Sequence, residues 1–125
     1  MTNAAAIMTS LLSRLQSATG PSRELDAEIA LANGWMRGNV YWHDPAGKIF
    51  PDDPPRYTES IDAALTLFPE SWTYWELRSP GHRTSFSAGI YRLIGDDEQQ
   101  ATGHGATPAL ALLVAVERAK EESKP

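Results

Sequence analysis

The stretch GHGATPALALLVAVERAKE, Gly103 to Glu121, decides how this chain is read. Two glycines flank a histidine, Thr107-Pro108 follows, and no charge appears until Glu117. Thr107 can cap a helix by accepting from a backbone N–H of the first turn. Pro108 suits the first helical position, where a missing N–H costs nothing. The spacing predicts a helix from Pro108 to about Glu122, apolar nearly all round. Such a helix is buried on more than one side, between layers or in a homodimer interface. Gly103–Thr107 reads as the loop before it. A phosphate cradle would aim the glycine N–H groups at an anion, but no lysine follows and Pro108 removes a donor. A double-stranded-RNA-binding domain also closes with a strand, a glycine loop and an alanine-rich helix. It opens that helix with lysines that hold phosphate, whereas Pro108, Ala109 and Leu110 stand here. What remains is a cap on a buried helix.

Upstream, Ile7, Leu11, Leu12 and Leu15 recur at helical spacing and predict a helix over Ala4–Ser17, ended by Gly20-Pro21. Ser22 caps a second helix carrying Leu25, Ile29 and Ala32, stopped by Asn33-Gly34. An aromatic, β-rich segment follows over Trp35–Trp42, then a turn at Asp44–Gly47 and a returning strand at Lys48–Phe50. Pro51–Pro55 cannot be a central strand and reads as an exposed loop. Thr58 is expected to cap a third helix over Glu59–Leu67. Trp72–Arg78 and Thr84–Ile94 read as paired strands, with Gly89 as a possible bulge and Gln99–Thr102 as a short edge strand. The fold class that follows is α+β: an α/β/α-type sandwich with a mainly antiparallel sheet covered by helices and an apolar C-terminal helix. Residues 21–122 form the sandwich and residues 1–20 a helix at its periphery, together one domain.

The chain has 125 residues, a net charge of −5 and no cysteine. The charge argues against nucleic-acid binding, where a basic face supplies most of the affinity. Without cysteine there are no disulfides, thiolate metal sites or cysteine nucleophiles. The apolar run Ala109–Val116 falls far short of the ~20 residues of a membrane span, and the N-terminus lacks the basic start of a secretory signal. These features read as a soluble, cytoplasmic protein that does not engage the membrane.

No motif announces catalysis, a cofactor or a metal. His43, His82 and His104 are isolated in sequence. Ser79, Ser85 and Ser87 lack a nucleophile elbow. Asp52-Asp53 and Asp96–Glu98 read as solvating turn charge. An enzyme would have to use His104 or His82 as a base beside a carboxylate. The four tryptophans are the more informative set. They belong either to a sheet covered on both faces by helices or to a pocket in which an aromatic ring stacks on a planar ligand while an arginine meets an anionic group. The candidate ligand-binding residues are Trp35, Trp42, Trp72, Trp75, Arg78, His82, Arg83, Arg92 and His104. Arg78, His82 and Arg83 form the leading anion patch.

Three segments, PSRELDAEIALANGW (Pro21–Trp35), YTESIDAALTLFPESWTYWELR (Tyr57–Arg78) and GHGATPALALLVAVERA (Gly103–Ala119), together resemble the phage ABA sandwich domain family of small phage and prophage proteins. The resemblance covers most of the chain beyond the first helix. It implies an α/β sandwich and a phage protein acting inside a bacterial host, and it brings no catalytic residues. The expected function is a small non-enzymatic binding or interaction protein, homo-oligomeric through its C-terminal helix. It would sequester a small anionic, nucleotide-like ligand, as a counter-defence protein does. The alternative is a structural or morphogenesis accessory that binds another phage or host protein.

Overall fold

The computed structural model describes residues 4–50, 53–78 and 86–122. Helices α1 (Ala4–Ser17) and α2 (Arg23–Ala32) lead into three two-residue strands, β1 (Met36–Arg37), β2 (Trp42–His43) and β3 (Ile49–Phe50). A short helix α3 (Ile61–Leu65) precedes strands β4 (Tyr74–Arg78), β5 (Phe86–Ile94) and β6 (Asp97–Gly105), and helix α4 (Pro108–Glu122) closes the chain. The strands form two antiparallel sheets, ordered β1-β2-β3 and β4-β5-β6. The class is α+β, as expected, with helices packed against an open sheet.

The glycines before α4 are the main departure from the sequence reading. Gly103 and Gly105 are not loop residues. They lie in β6, a nine-residue strand far longer than Gln99–Thr102, and pair with Ala88 and Phe86. Alternation puts Ala101, Gly103 and Gly105 on the face that meets α4. A Cβ on Gly103 would lie 2.4 Å from the Ala111 carbonyl oxygen and 2.5 Å from the Ala115 nitrogen. One on Gly105 would lie 2.7 Å from the Ala111 nitrogen. The glycines let the helix backbone lie against the strand. Thr107 caps α4 as expected, accepting from the Leu110 N–H at 3.1 Å.

Ala109 to Val116 are all 2% exposed or less. The sheet, α1 and α3 cover α4 within the chain. Its surplus apolar surface, the reason for expecting an oligomer through this helix, is therefore already buried. Nor is α1 peripheral: Leu11 and Leu15 are buried in the same core and α1 packs on α4. Glu117, the first charge of α4, is buried 3.5 Å from the Lys120 ammonium, which also donates to Asn33 at the end of α2.

Ser22 caps α2 and accepts from the Leu25 N–H at 3.2 Å. Thr58 does not cap α3. Its hydroxyl donates to Asp26 Oδ1 at 2.8 Å and accepts from the Ser22 N–H at 2.8 Å, and its own N–H donates to Asp26 Oδ1 at 2.7 Å. With Thr58 so engaged, Ser60 caps α3 instead, accepting from the Ala63 N–H, and the helix shortens to Ile61–Leu65. Gly89 is no bulge: the register runs unbroken from Phe86↔Gly105 to Ile94↔Asp97. The missing Cβ leaves room for the Tyr91 hydroxyl, which a Cβ would approach to 2.8 Å. Gly95, with φ 62°, opens the two-residue turn between β5 and β6.

Candidate functional site

The aromatic set divides between the two sheets. In the small sheet, register places Met36, His43 and Ile49 in one cross-strand row and Arg37, Trp42 and Phe50 in the other. Trp42 and Phe50 of the second row reach the core, and Arg37 is exposed. Trp42 is 8% exposed, and Phe50 meets Trp35 edge-on with ring centroids 5.0 Å apart. Trp35 also hydrogen-bonds Tyr57. Burial pushes the Tyr57 hydroxyl above its ordinary pKa, the bond from Trp35 opposes that shift, and the nearby Asp26 charge adds to it. Trp35 and Trp42 are both core residues, and Trp42 also lines a cleft.

The Arg37 guanidinium lies 4.7 Å over the Trp42 ring. This stack borders a cleft of about 270 Å³ lined by Arg23, Glu24, Ala27, Arg37, Trp42, Asp53 and Pro54. Arg23 enters from the first turn of α2. It donates to the buried Asp26 Oδ2 at 2.6 Å and to the Pro54 carbonyl at 2.8 Å, with Asp53 3.8 Å away. Those contacts fix its position. Among the described residues, Arg37 is the one arginine with neither a hydrogen bond nor an ion pair to the protein. Its planar fork is oriented by the ring beneath it, and its N–H donors remain open to an incoming acceptor. Sequence reasoning found Trp42 and missed Arg37 and Arg23. The signal for Arg37 was its place in the same hairpin: pairing across Gly38–Tyr41, closed by the Gly38 N–H donating to the Tyr41 carbonyl, sets it opposite Trp42.

The second tryptophan–arginine stack is closed. Arg92 lies 4.8 Å over the buried Trp72 and donates to Gln99 at 2.7 Å and Ser71 at 3.2 Å. Alternation puts it on the α4 side of β5. On the opposite face, Arg78, Ser87 and His104 form one cross-strand row, Glu76, Gly89 and Thr102 the next, and Tyr74, Tyr91 and Gln100 the third. His104 is exposed there, and among the described residues no helix covers this face of the sheet. The described helices therefore pack on one side of β4–β6 rather than on both. Arg78 is paired with Glu76 at 2.8 Å, and Glu76 also accepts from the Tyr91 hydroxyl. This bond to Glu76 is the main cause raising the Tyr91 pKa. Trp75 pairs with Ile90 and is 43% exposed. His82 and Arg83 lie outside the described residues. Among the described residues the expected set forms no single pocket: Trp42 lies in the small sheet with Trp35 just before it, Trp72, Trp75 and His104 lie in or beside the other sheet, and of the set Arg78 and Arg92 alone share a cleft there, of about 540 Å³.

Among the described residues no three His, Asp or Glu side chains group as metal ligands, and no helix is long and apolar enough to cross a membrane. Comparison with family models, curated proteins and solved structures returns no match to this chain.

Proposed function

We propose that the protein is a non-enzymatic binding module that captures a small anionic ligand of the phosphate or nucleotide class in the Arg37–Trp42 cleft. One observation carries this reading: a guanidinium oriented by an aromatic face and left without a protein acceptor, at the mouth of a cleft where a second guanidinium is fixed. Charge-assisted hydrogen bonds from arginine to phosphate oxygens are strong and geometrically specific. Glu24 and Asp53 also line the cleft, so the arginines would have to hold the ligand against their repulsion, which disfavours highly charged polyanions. With the phage resemblance, the role is that of a sponge for a charged host metabolite inside the bacterial cell.

Calorimetric titration with inorganic phosphate and with mono- and dinucleotides tests the reading. At least one of them is expected to bind wild-type protein, and Arg37→Ala is expected to weaken that binding by ~10-fold or more. Arg37→Lys recovers only part, because lysine offers a point charge without the planar fork. Absence of binding by the whole series, or equal binding by Arg37→Ala, overturns it.

A second reading is a protein partner, as in a morphogenesis accessory. Met36 and Ile49, in one cross-strand row of the small sheet, are 68% and 57% exposed, and Val40 in the β1–β2 loop is 75% exposed. Exposed apolar side chains on one small sheet and its loop favour a docking partner.

A further inference from the structure

The cleft that Arg78 and Arg92 share on the larger sheet has a chemistry unlike that beside Trp42. Of about 540 Å³, it also holds Glu76, Glu98, Tyr74 and Tyr91. Gly89 shapes it. A glycine inside a regular strand weakens the strand and marks a close approach. Here the approach is by Tyr91, whose hydroxyl lies 2.8 Å from where a Gly89 Cβ would be. The Tyr91 hydroxyl donates to Glu76 Oε1 and accepts from Gln100 Nε2 at 3.3 Å. Arg78 Nη2 donates to the same Glu76 oxygen at 2.8 Å. Glu76 Oε2 and the other Arg78 N–H groups have no partner among the described residues. One acceptor and several donors therefore stand side by side, fixed before any ligand arrives, which lowers the ordering cost of binding. Tyr74 lies on the same face, two residues or ~6.6 Å from Glu76 along the strand. It is 63% exposed, and its side chain makes no hydrogen bond among the described residues.

We propose that this cleft binds a neutral saccharide, with the sugar ring on Tyr74 and adjacent hydroxyls on the Glu76–Arg78 pair. A hydroxyl both donates and accepts. Neighbouring hydroxyls therefore match a carboxylate oxygen and a guanidinium held next to each other: they donate to Glu76 Oε2 and accept from Arg78. Both bonds are charge-assisted. The C–H face of a sugar ring is apolar and covers the exposed Tyr74 ring. Charge selects for a neutral ligand. Two guanidinium groups and two carboxylates line the cleft, so a phosphate there meets repulsion along with attraction and gains little. The Arg37–Trp42 cleft differs, because its Arg37 has no carboxylate partner. The saccharide site does not rest on the phosphate reading of that cleft.

Nuclear magnetic resonance titration of the isotope-labelled full chain tests this, with circular dichroism to confirm folding of each variant. The probes are glucose, galactose, mannose, N-acetylglucosamine, maltose and cellobiose. At least one is expected to bind saturably with a Kd of ~1 mM or tighter. Tyr74→Ala, which removes the stacking ring from an exposed position, should raise that Kd at least ~10-fold. Gly89→Ala supplies a second variant that keeps the fold, because the atom its Cβ meets is the far end of the Tyr91 side chain. It should displace Tyr91 from Glu76 and weaken binding by a similar factor. The phosphate ester of the sugar that binds should bind less well than the sugar itself. Excess inorganic phosphate should leave the saccharide affinity unchanged, since the two clefts lie on different sheets. No saturable binding by any of the six sugars overturns the proposal. So does wild-type affinity in Tyr74→Ala or in Gly89→Ala, competition by inorganic phosphate, or tighter binding of the phosphate ester.

Discussion

Gly103 and Gly105 show how a missing side chain places an element. Strands disfavour glycine because it contributes no packing and loses more chain entropy on ordering. Here that loss is offset by a helix backbone in van der Waals contact with the strand. The consequence is sharp. Gly103→Ala drives a methyl into the Ala111 carbonyl and the Ala115 nitrogen, both under 3 Å from its Cβ and both backbone atoms that cannot turn aside. Thermal and denaturant unfolding should show a loss of roughly 1–3 kcal/mol or more. Gly20→Ala, where a Cβ meets nothing within 4 Å, is the control and should be neutral or slightly stabilising. The alternation Ala101-Gly103-Gly105 was in the sequence, but a reading that looks for apolar side chains at every second position sees no strand there. The reason for the glycines lies on a helix that packs over them. Pro108 and Thr107, whose effects are local, were legible and act as expected.

Among the elements, the helices with local signals were read to the residue or nearly so: α1, α2 and α4 begin and end where caps, glycines and prolines put them. The start of α3 was not, because its nominal cap is claimed by Asp26, 32 positions earlier in the chain. Only the folded structure reveals that competition. Residues 53–60 are held against α2 by this Asp26–Thr58 link and by Tyr57, which is buried beside Trp35. The element should therefore be sensitive to alkali. Burial raises the Tyr57 pKa above its ordinary value of 10.0, so the fold favours the protonated hydroxyl. Its contribution is fully present below pH 10 and is lost as pH climbs through the raised value, since the unfolded chain gives up this proton first. Tyr91 shifts the same way, through its bond to Glu76. Denaturant midpoints should fall between about pH 8 and about pH 11. Tyr57→Phe should reduce that fall, and Tyr57→Phe with Tyr91→Phe should reduce it further. A fall of equal size in the double variant would show that neither tyrosine is its source.

At the scale of the molecule, helices pack on one side of β4-β5-β6, and among the described residues none packs on the other. The class was legible because hairpin turns force neighbouring strands to be antiparallel and an apolar helix must be covered. The division into two sheets was not, since strands of two residues carry no periodicity. That division decides where chemistry can occur. It separates the tryptophans, closes the Trp72–Arg92 stack with Gln99 and Ser71, and leaves the Trp42–Arg37 stack at a cleft. It also moves the candidate anion site from Arg78 to Arg37, because Arg78 already has Glu76. The most direct measurement is a nuclear magnetic resonance titration of isotope-labelled protein with inorganic phosphate and a nucleoside monophosphate, following backbone amides, arginine Nε–H groups and tryptophan indoles together. The account predicts that the Arg37 Nε–H and the Trp42 indole move together and saturably, while Trp72, Tyr74 and Arg78 stay in place. Shifts confined to β4–β6, or no saturable shift at Arg37 with either ligand, would contradict it.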